Sequence, residues 1–249
     1  TPFPAGYPSR PMDLGLQGRS AIVLGASQGM GLAIAQALAA EGADVAMFAR
    51  RADVVEREAA AIGALAVPGD LTRAADLDRL VATTLEAYGG VDVLVLNGGG
   101  PPPGAATDVT PESVVAAVAL LLIPHVRLVG LCLPHLRAGG RGRIVAIEST
   151  SVKEPIPNLA LSNAVRPGVI GWLKTLAREL GPEGITVNTV APGRIDTERL
   201  RSLYGADGPP PEALAQIPAR RVGSPAEIAA TVCFLASEQA AYISGTVVP

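Results

Sequence analysis

The stretch SAIVLGASQGMG, residues 20–31, decides the fold. Ser20–Leu24 is a continuous apolar run without alternation, the pattern of a strand buried on both faces. It meets glycines at 25, 29 and 31, and a helical pattern runs on to Ala40. Glycine lets the backbone turn tightly and approach a ligand, and a helix N-terminus carries partial positive charge. Together they suit a pyrophosphate. The spacing is G-x-x-x-G-x-G, which taken alone is also compatible with a structural turn. The strand before it and the helix after it favour the phosphate reading.

Outward from this corner the pattern repeats. Val45–Phe48 reads as a second strand, residues 52–62 as a helix, Leu65–Val67 as a strand and residues 74–88 as a helix. Val91–Leu96 is a fourth strand, closed by Asn97 and three glycines. A helical region over Pro111–Arg137 precedes the strand Ile144–Ile147, a helical stretch through Leu180 and the strand Ile185–Val190. Residues 194–223 are polar, rich in Gly and Pro, and irregular. A helix over Pro225–Ala236 and a short strand over Gly245–Val248 complete the chain. Strands alternating with helices across short connections predict an α/β fold: a single-domain, Rossmann-type, doubly wound parallel sheet with helices on both faces. Residues 1–11 are Pro-rich and aperiodic, and are expected to be an extension or remnant outside a domain spanning 12–249.

Composition narrows the function. A chain of 249 residues with formal net charge −3 carries no electrostatic footprint for nucleic acid. Cys132 and Cys233 sit in apolar helical contexts and read as reduced core residues, which suits the cytoplasm. The longest apolar run, Val114–Ile123, stops at Pro124 and is about half the ~20 residues a bilayer requires, so no membrane span is expected. His125 and His135 lack metal spacing with each other; packing accounts for them better than a metal site, and no metal is expected. Tyr204 reads as a loop aromatic, with a substrate-facing role as the alternative.

Three further places carry chemistry. At the end of the second strand an acid would accept ribose hydroxyls and repel a 2′-phosphate. Here Ala49 stands instead, followed by Arg50 and Arg51, which favours a phosphate; the alternative is a pair of solvated helix-start arginines. Asp70 and Asn97 fall at strand carboxyl ends, where such sheets bind ligands, and each is equally readable as a turn residue. Ser162 and Arg166 lie four apart and share one helix face, thirteen residues beyond Ser149.

These marks resemble the short-chain dehydrogenase/reductase family over residues 17–249. GASQGMG is similar to its T-G-x-x-x-G-x-G, with Leu24 in the Thr place. Asp70, the NGGG version of its N-N-A-G, Ser149 and PGRIDT at residues 192–197 fall in order. IPARRVGSPAEIA (217–229) and YISGTVVP (242–249) resemble bacterial 3-oxoacyl-carrier-protein reductases. The chain ends about where that family continues with Asp-Gly-Gly, so a further segment is expected.

The resemblance implies a nicotinamide cofactor, a small carbonyl or acyl substrate and a homo-tetramer or homo-dimer. It places cofactor contacts at Gly25, Ser27, Gly29, Met30, Gly31, Asp70, Leu71, Asn97, Gly98 and Gly99, and at Pro192, Gly193, Ile195 and Thr197. With Arg50 and Arg51 it favours NADP(H) over NAD(H). The chain departs from the family at the centre: its Asn falls on Leu121, its Tyr on Ser162 and its Lys on Arg166. A phenol of tunable acidity is thereby replaced by a weakly acidic hydroxyl, and the lysine by a guanidinium that releases no proton. What survives is hydroxyl and cation, so Ser149, Ser162 and Arg166 are the expected catalytic group, with Arg166 also holding ribose hydroxyls. Two readings follow: an NADP(H)-dependent reductase with an altered active site, or an NADP-binding protein with little turnover acting as a sensor or assembly subunit.

Overall fold

A computed structural model describes residues 12–205 and 208–249; the N-terminal extension expected over residues 1–11 lies outside them. Seven strands form one parallel sheet: β1 (Ser20–Leu24), β2 (Asp44–Ala49), β3 (Leu65–Pro68), β4 (Val93–Asn97), β5 (Arg143–Ile147), β6 (Thr186–Val190) and β7 (Val247–Val248). Their order is β3-β2-β1-β4-β5-β6-β7, so the chain reverses direction across the sheet between β1 and β4. At such a switch point the loops leaving neighbouring strands diverge and open a crevice at the carboxyl ends.

Nine helices cover the faces among the described residues. Strand residues alternate between two cores. Ile22, Leu24 and Phe48 pack with Leu80 of α3 (Ala74–Tyr88), Leu121 of α4 (Pro111–Leu121), Leu128 of α5 (Ile123–Ala138) and Val169 of α6 (Ala160–Leu180). Ala21, Val23 and Met47 pack on the opposite face with Ile34 of α1 (Gly29–Ala40), Val55 of α2 (Ala52–Ile62) and Val232 of α9 (Pro225–Ala236). Both faces of every central strand are thus buried, which explains why those strands read as unbroken apolar runs.

The structure corrects the sequence reading in three places. The helical region expected over Pro111–Arg137 is two helices, broken at Leu122 (φ −114°). Pro124 has no N–H for the carbonyl of Leu120, so the hydrogen-bond ladder is interrupted there. Pro124 does not stop the apolar helix, however, because it sits in the first turn of α5. The stretch Pro111–Ala138 is therefore long and apolar enough to cross a membrane by length and composition, although α4 packs on α6 and α5 on α3. The irregular segment 194–223 contains two short helices, α7 (Glu198–Tyr204) and α8 (Pro211–Ala215). Thr197 caps the first, its hydroxyl accepting from Leu200 N at 3.3 Å.

Candidate active site

The β1–α1 corner is built from backbone. Gly25 and Gly29 both take positive φ, 61° and 56°, which an L side chain resists. Gly31 faces the returning chain: a Cβ there would overlap the Gly25 carbonyl oxygen and stand 2.7 Å from Asn97 Nδ2. Asn97 braces this turn, donating from Nδ2 to Leu24 O at 3.0 Å across the switch point. Gln28, the residue before α1, makes no capping bond with its side chain, and the first turn holds no acid. The helix thus offers uncapped N–H groups to an anion.

A cleft of about 840 Å³ opens at this corner. Its lining brings together residues distant in sequence: the glycine loop with Ser27 and Met30, then Arg50 and Arg51, Asp70 and Leu71, Asn97 to Gly99, and Thr197. Thr197 lies across from Gly29, whose added Cβ would be 3.3 Å from its methyl. Arg51 donates to Gln28 Oε1, which joins the two ends of the cleft wall. Asp70 Oδ1 accepts from Thr72 N and from Thr72 Oγ1, both at 2.8 Å. These bonds, with the Arg50 charge nearby, hold its carboxyl below the usual carboxylate range. Gly98 and Gly99 form an open floor, since a Cβ on Gly99 would meet nothing within 4 Å. Glycine floor, uncapped helix and paired arginines together fit an extended phosphate-bearing nucleotide.

The remaining expected residues lie outside that lining. Pro192 O accepts from Thr150 N at 3.2 Å, a Cβ on Gly193 would stand 4.0 Å from the Thr150 methyl, and Ile195 bridges to Gly223. These contacts set the 192–197 loop beside the Ser149 turn. Ser149 accepts from Ser151 N at 3.2 Å and so caps the short turn Thr150–Val152. It makes no direct hydrogen bond to Ser162; Ser151 occupies that place, with Oγ 3.3 Å from Ser162 Oγ.

Arg166 is the hub. Its Nε donates to Ser162 Oγ at 3.0 Å, Nη1 to Glu148 Oε2 at 2.7 Å and Nη2 to Gly99 O at 3.3 Å. A guanidinium only donates, so Ser162 Oγ must accept, and its own hydrogen is left for Ser151 or a ligand. Burial pushes the Glu148 carboxyl up, while Arg166 pulls it back. His125 is buried under Gly98, 3.8 Å from where a Cβ would stand, and neither of its ring nitrogens has a partner. Desolvation, then the Arg166 charge, lowers its pKa to about 4. His125 is thus a buried imidazole without hydrogen-bond partners, and Cys132 and Cys233 are buried free thiols. Tyr204 lies on α7, its hydroxyl accepting from Arg194 Nε at 3.1 Å. No cluster of three metal-ligating side chains occurs among the described residues.

Sequence reasoning passed over Glu148, Ser151 and Arg199. A visible signal existed for Glu148: it is a lone carboxylate directly after the apolar run Ile144–Ile147, at a strand carboxyl end. Nothing in the sequence marked Arg199, which lines the cleft and donates from Nη2 to Pro101 O at 3.1 Å.

A doubly wound sheet with a glycine-cornered cleft at its switch point defines a Rossmann-type nucleotide-binding protein. A family model described as enoyl-(acyl carrier protein) reductase matches residues 25–249, and the chain belongs to the short-chain dehydrogenase/reductase family. It is 39% identical over 231 residues to the 3-oxoacyl-[acyl-carrier-protein] reductase MabA of Mycobacterium tuberculosis, covering 93% of this chain and 90% of that one. The 3-ketoacyl-(acyl-carrier-protein) reductase of Brucella melitensis, solved with NADH, superposes with a TM-score of 0.87 at 33% identity, covering 94% and 97% of the two chains. The L-sorbose reductase of Gluconobacter frateurii, solved with NADPH and L-sorbose, gives 0.88 at 30% identity, covering 95% and 96%.

Proposed function

We propose that this chain is an NADP(H)-dependent oxidoreductase that reduces a small carbonyl or 3-oxoacyl substrate with an altered proton-handling pair. The observation that carries the reading is the Ser162–Arg166 contact, held at the rim beside a cleft suited to a dinucleotide. When bound, the reduced nicotinamide supplies the hydride. Gly25, Ser27, Gly29, Met30 and Gly31 would hold the pyrophosphate, and Arg50 and Arg51 the 2′-phosphate. Ser149 and Ser162 would donate hydrogen bonds to the developing alkoxide, and Arg166 would keep the Ser162 hydrogen pointed outward. The proton comes from water or substrate, since no side chain of this group is an acid of suitable strength; its absence costs about 10²–10⁴ in rate.

The second reading, nucleotide binding with little turnover, is favoured by one observation: Arg166 is committed to Glu148. NADPH consumption with an acetoacetyl thioester separates the two. Ser162→Ala should lower kcat about 10–100-fold with the NADPH Kd unchanged; no consumption by the unaltered chain that nonetheless binds NADPH selects the second reading. Arg50→Asp should remove most of a preference for NADPH over NADH, and equal affinities in the unaltered chain would end the 2′-phosphate assignment. The exposed apolar side chains Val115, Ile123 and Val126 on α4 and α5 support a homo-tetramer or homo-dimer, and the two reduced thiols support a cytoplasmic setting.

A further inference from the structure

Glu148 closes β5 at the rim and has no part in the reduction scheme above. Its side chain is fully enclosed, at 0% exposure, and that of Arg166 is at 9%. A carboxylate taken this far from water is costly unless it is paired and hydrogen-bonded. Glu148 Oε2 has Arg166, while Oε1 has no hydrogen-bond partner. Arg166 in turn turns its donors inward, to Glu148, to Ser162 and to the carbonyl of Gly99 on the cleft floor. The third titratable group facing the pair is His125, buried and uncharged at neutral pH. The centre therefore carries one positive and one negative charge and sums to zero.

We propose that Glu148 is a positioning residue that fixes Arg166 beneath Gly99 and cancels its charge, so that the centre meets the nicotinamide end of a bound dinucleotide as a neutral hydrogen-bonding surface. The inference rests on the nucleotide-binding reading above. Its consequence is a binding property independent of turnover. The oxidised nicotinamide ring carries a positive charge that the reduced ring lacks. A net charge beside it would separate the affinities of the two forms, and a neutral centre leaves them close.

The test is the ratio of the Kd values for NADP⁺ and NADPH, measured by calorimetry on the full chain, with melting temperatures as the check on folding. The unaltered chain should bind both forms within about three-fold. Glu148→Gln keeps the side-chain shape and leaves Arg166 uncompensated, so the ratio should move toward NADPH by about ten-fold, the scale of one unit charge in a partly solvated site. The double variant Glu148→Gln with Arg166→Gln should return the ratio to its original value. A purely structural role would weaken both forms alike and leave the ratio still.

An unmoved ratio in a folded Glu148→Gln protein, or a greater than ten-fold preference for NADPH in the unaltered chain, overturns the proposal. Should Glu148→Gln fail to fold, Arg166→Gln decides in mildly alkaline buffer, where it leaves Glu148 uncompensated: a ratio moved toward NADP⁺ supports the proposal and an unmoved one overturns it. If the unaltered chain binds neither form, the nucleotide reading fails and takes the proposal with it. Binding without carbonyl reduction removes only the reductase reading.

Discussion

At the β1–α1 corner the cleft is made of backbone: glycines in turns closed to side chains, a helix end without a cap, and one asparagine bracing the turn. The neighbouring β5–α6 corner, outside the cleft lining, is made of side chains: a buried carboxylate, a guanidinium with three acceptors and two hydroxyls. The first corner tolerates almost no substitution, because a Cβ has nowhere to go. The second can be rewritten as a unit, provided charge and hydrogen bonds still balance. Sterics thus constrain the glycine corner, and electrostatics constrain the side-chain corner.

The largest effect expected from breaking this contrast is at Arg166. Arg166→Met leaves Glu148 buried and uncompensated, at a cost of about 3–5 kcal/mol in urea unfolding. The pH dependence identifies the cause. Burial already pushes the Glu148 carboxyl above its ordinary value, and Arg166 pulls it back. Without Arg166, the native state holds a proton that the unfolded chain has released over the window between the ordinary and the raised pKa. Stability of the variant should then rise as pH falls through that window, reaching its recovered level near the ordinary carboxylate range. A deficit that is flat with pH would mean that lost packing, and not the orphaned charge, is responsible.

Gly31→Ala is next, at about 3 kcal/mol, the upper end of what overpacking costs. The added methyl meets a backbone carbonyl and the Asn97 amide, and neither is the free end of a flexible side chain. Melting temperature and NADPH affinity should fall together. Acidification should rescue neither, in contrast to Arg166→Met. A Gly31→Ala protein of native stability would show that the corner can relax.

The contrast also explains how much could be read in advance. Ser20–Leu24, the three glycines and the alternation that follows placed the parallel sheet and the glycine turn before α1, because backbone geometry writes itself into residue spacing. Asn97 was visible as a strand-end polar residue, but its tie to Leu24 O spans 73 positions and has no local trace. Glu148 was adjacent to a singled-out serine and still went unread, since its partner lies 18 residues away on another element. The break at Leu122 was missed for a similar reason. Pro124 is compatible with a helix start, and only tertiary packing decides whether a helix begins there or continues. Local chemistry was legible, and pairings between elements were not.

The smallest expected effect sharpens the contrast most. Gly99 lies on the same floor as Gly98, is exposed, and has no positive φ to protect. A methyl group on it meets no atom within 4 Å, so Gly99→Ala should leave folding stability within about 0.5 kcal/mol. Its carbonyl remains available to Arg166, so the guanidinium should keep its third acceptor. Gly99 lines the cleft, so under the nucleotide-binding reading the same methyl takes up space beside the ligand. NADPH affinity should therefore drop roughly ten-fold while the melting temperature stays put, the order of 1.4 kcal/mol. Gly31→Ala loses both properties together and Gly99→Ala loses only one, which separates a glycine kept for the fold from a glycine kept for the ligand. If Gly99→Ala binds NADPH with unaltered affinity, the nucleotide does not cross this floor, and the Arg166–Glu148 centre beneath it serves the fold alone.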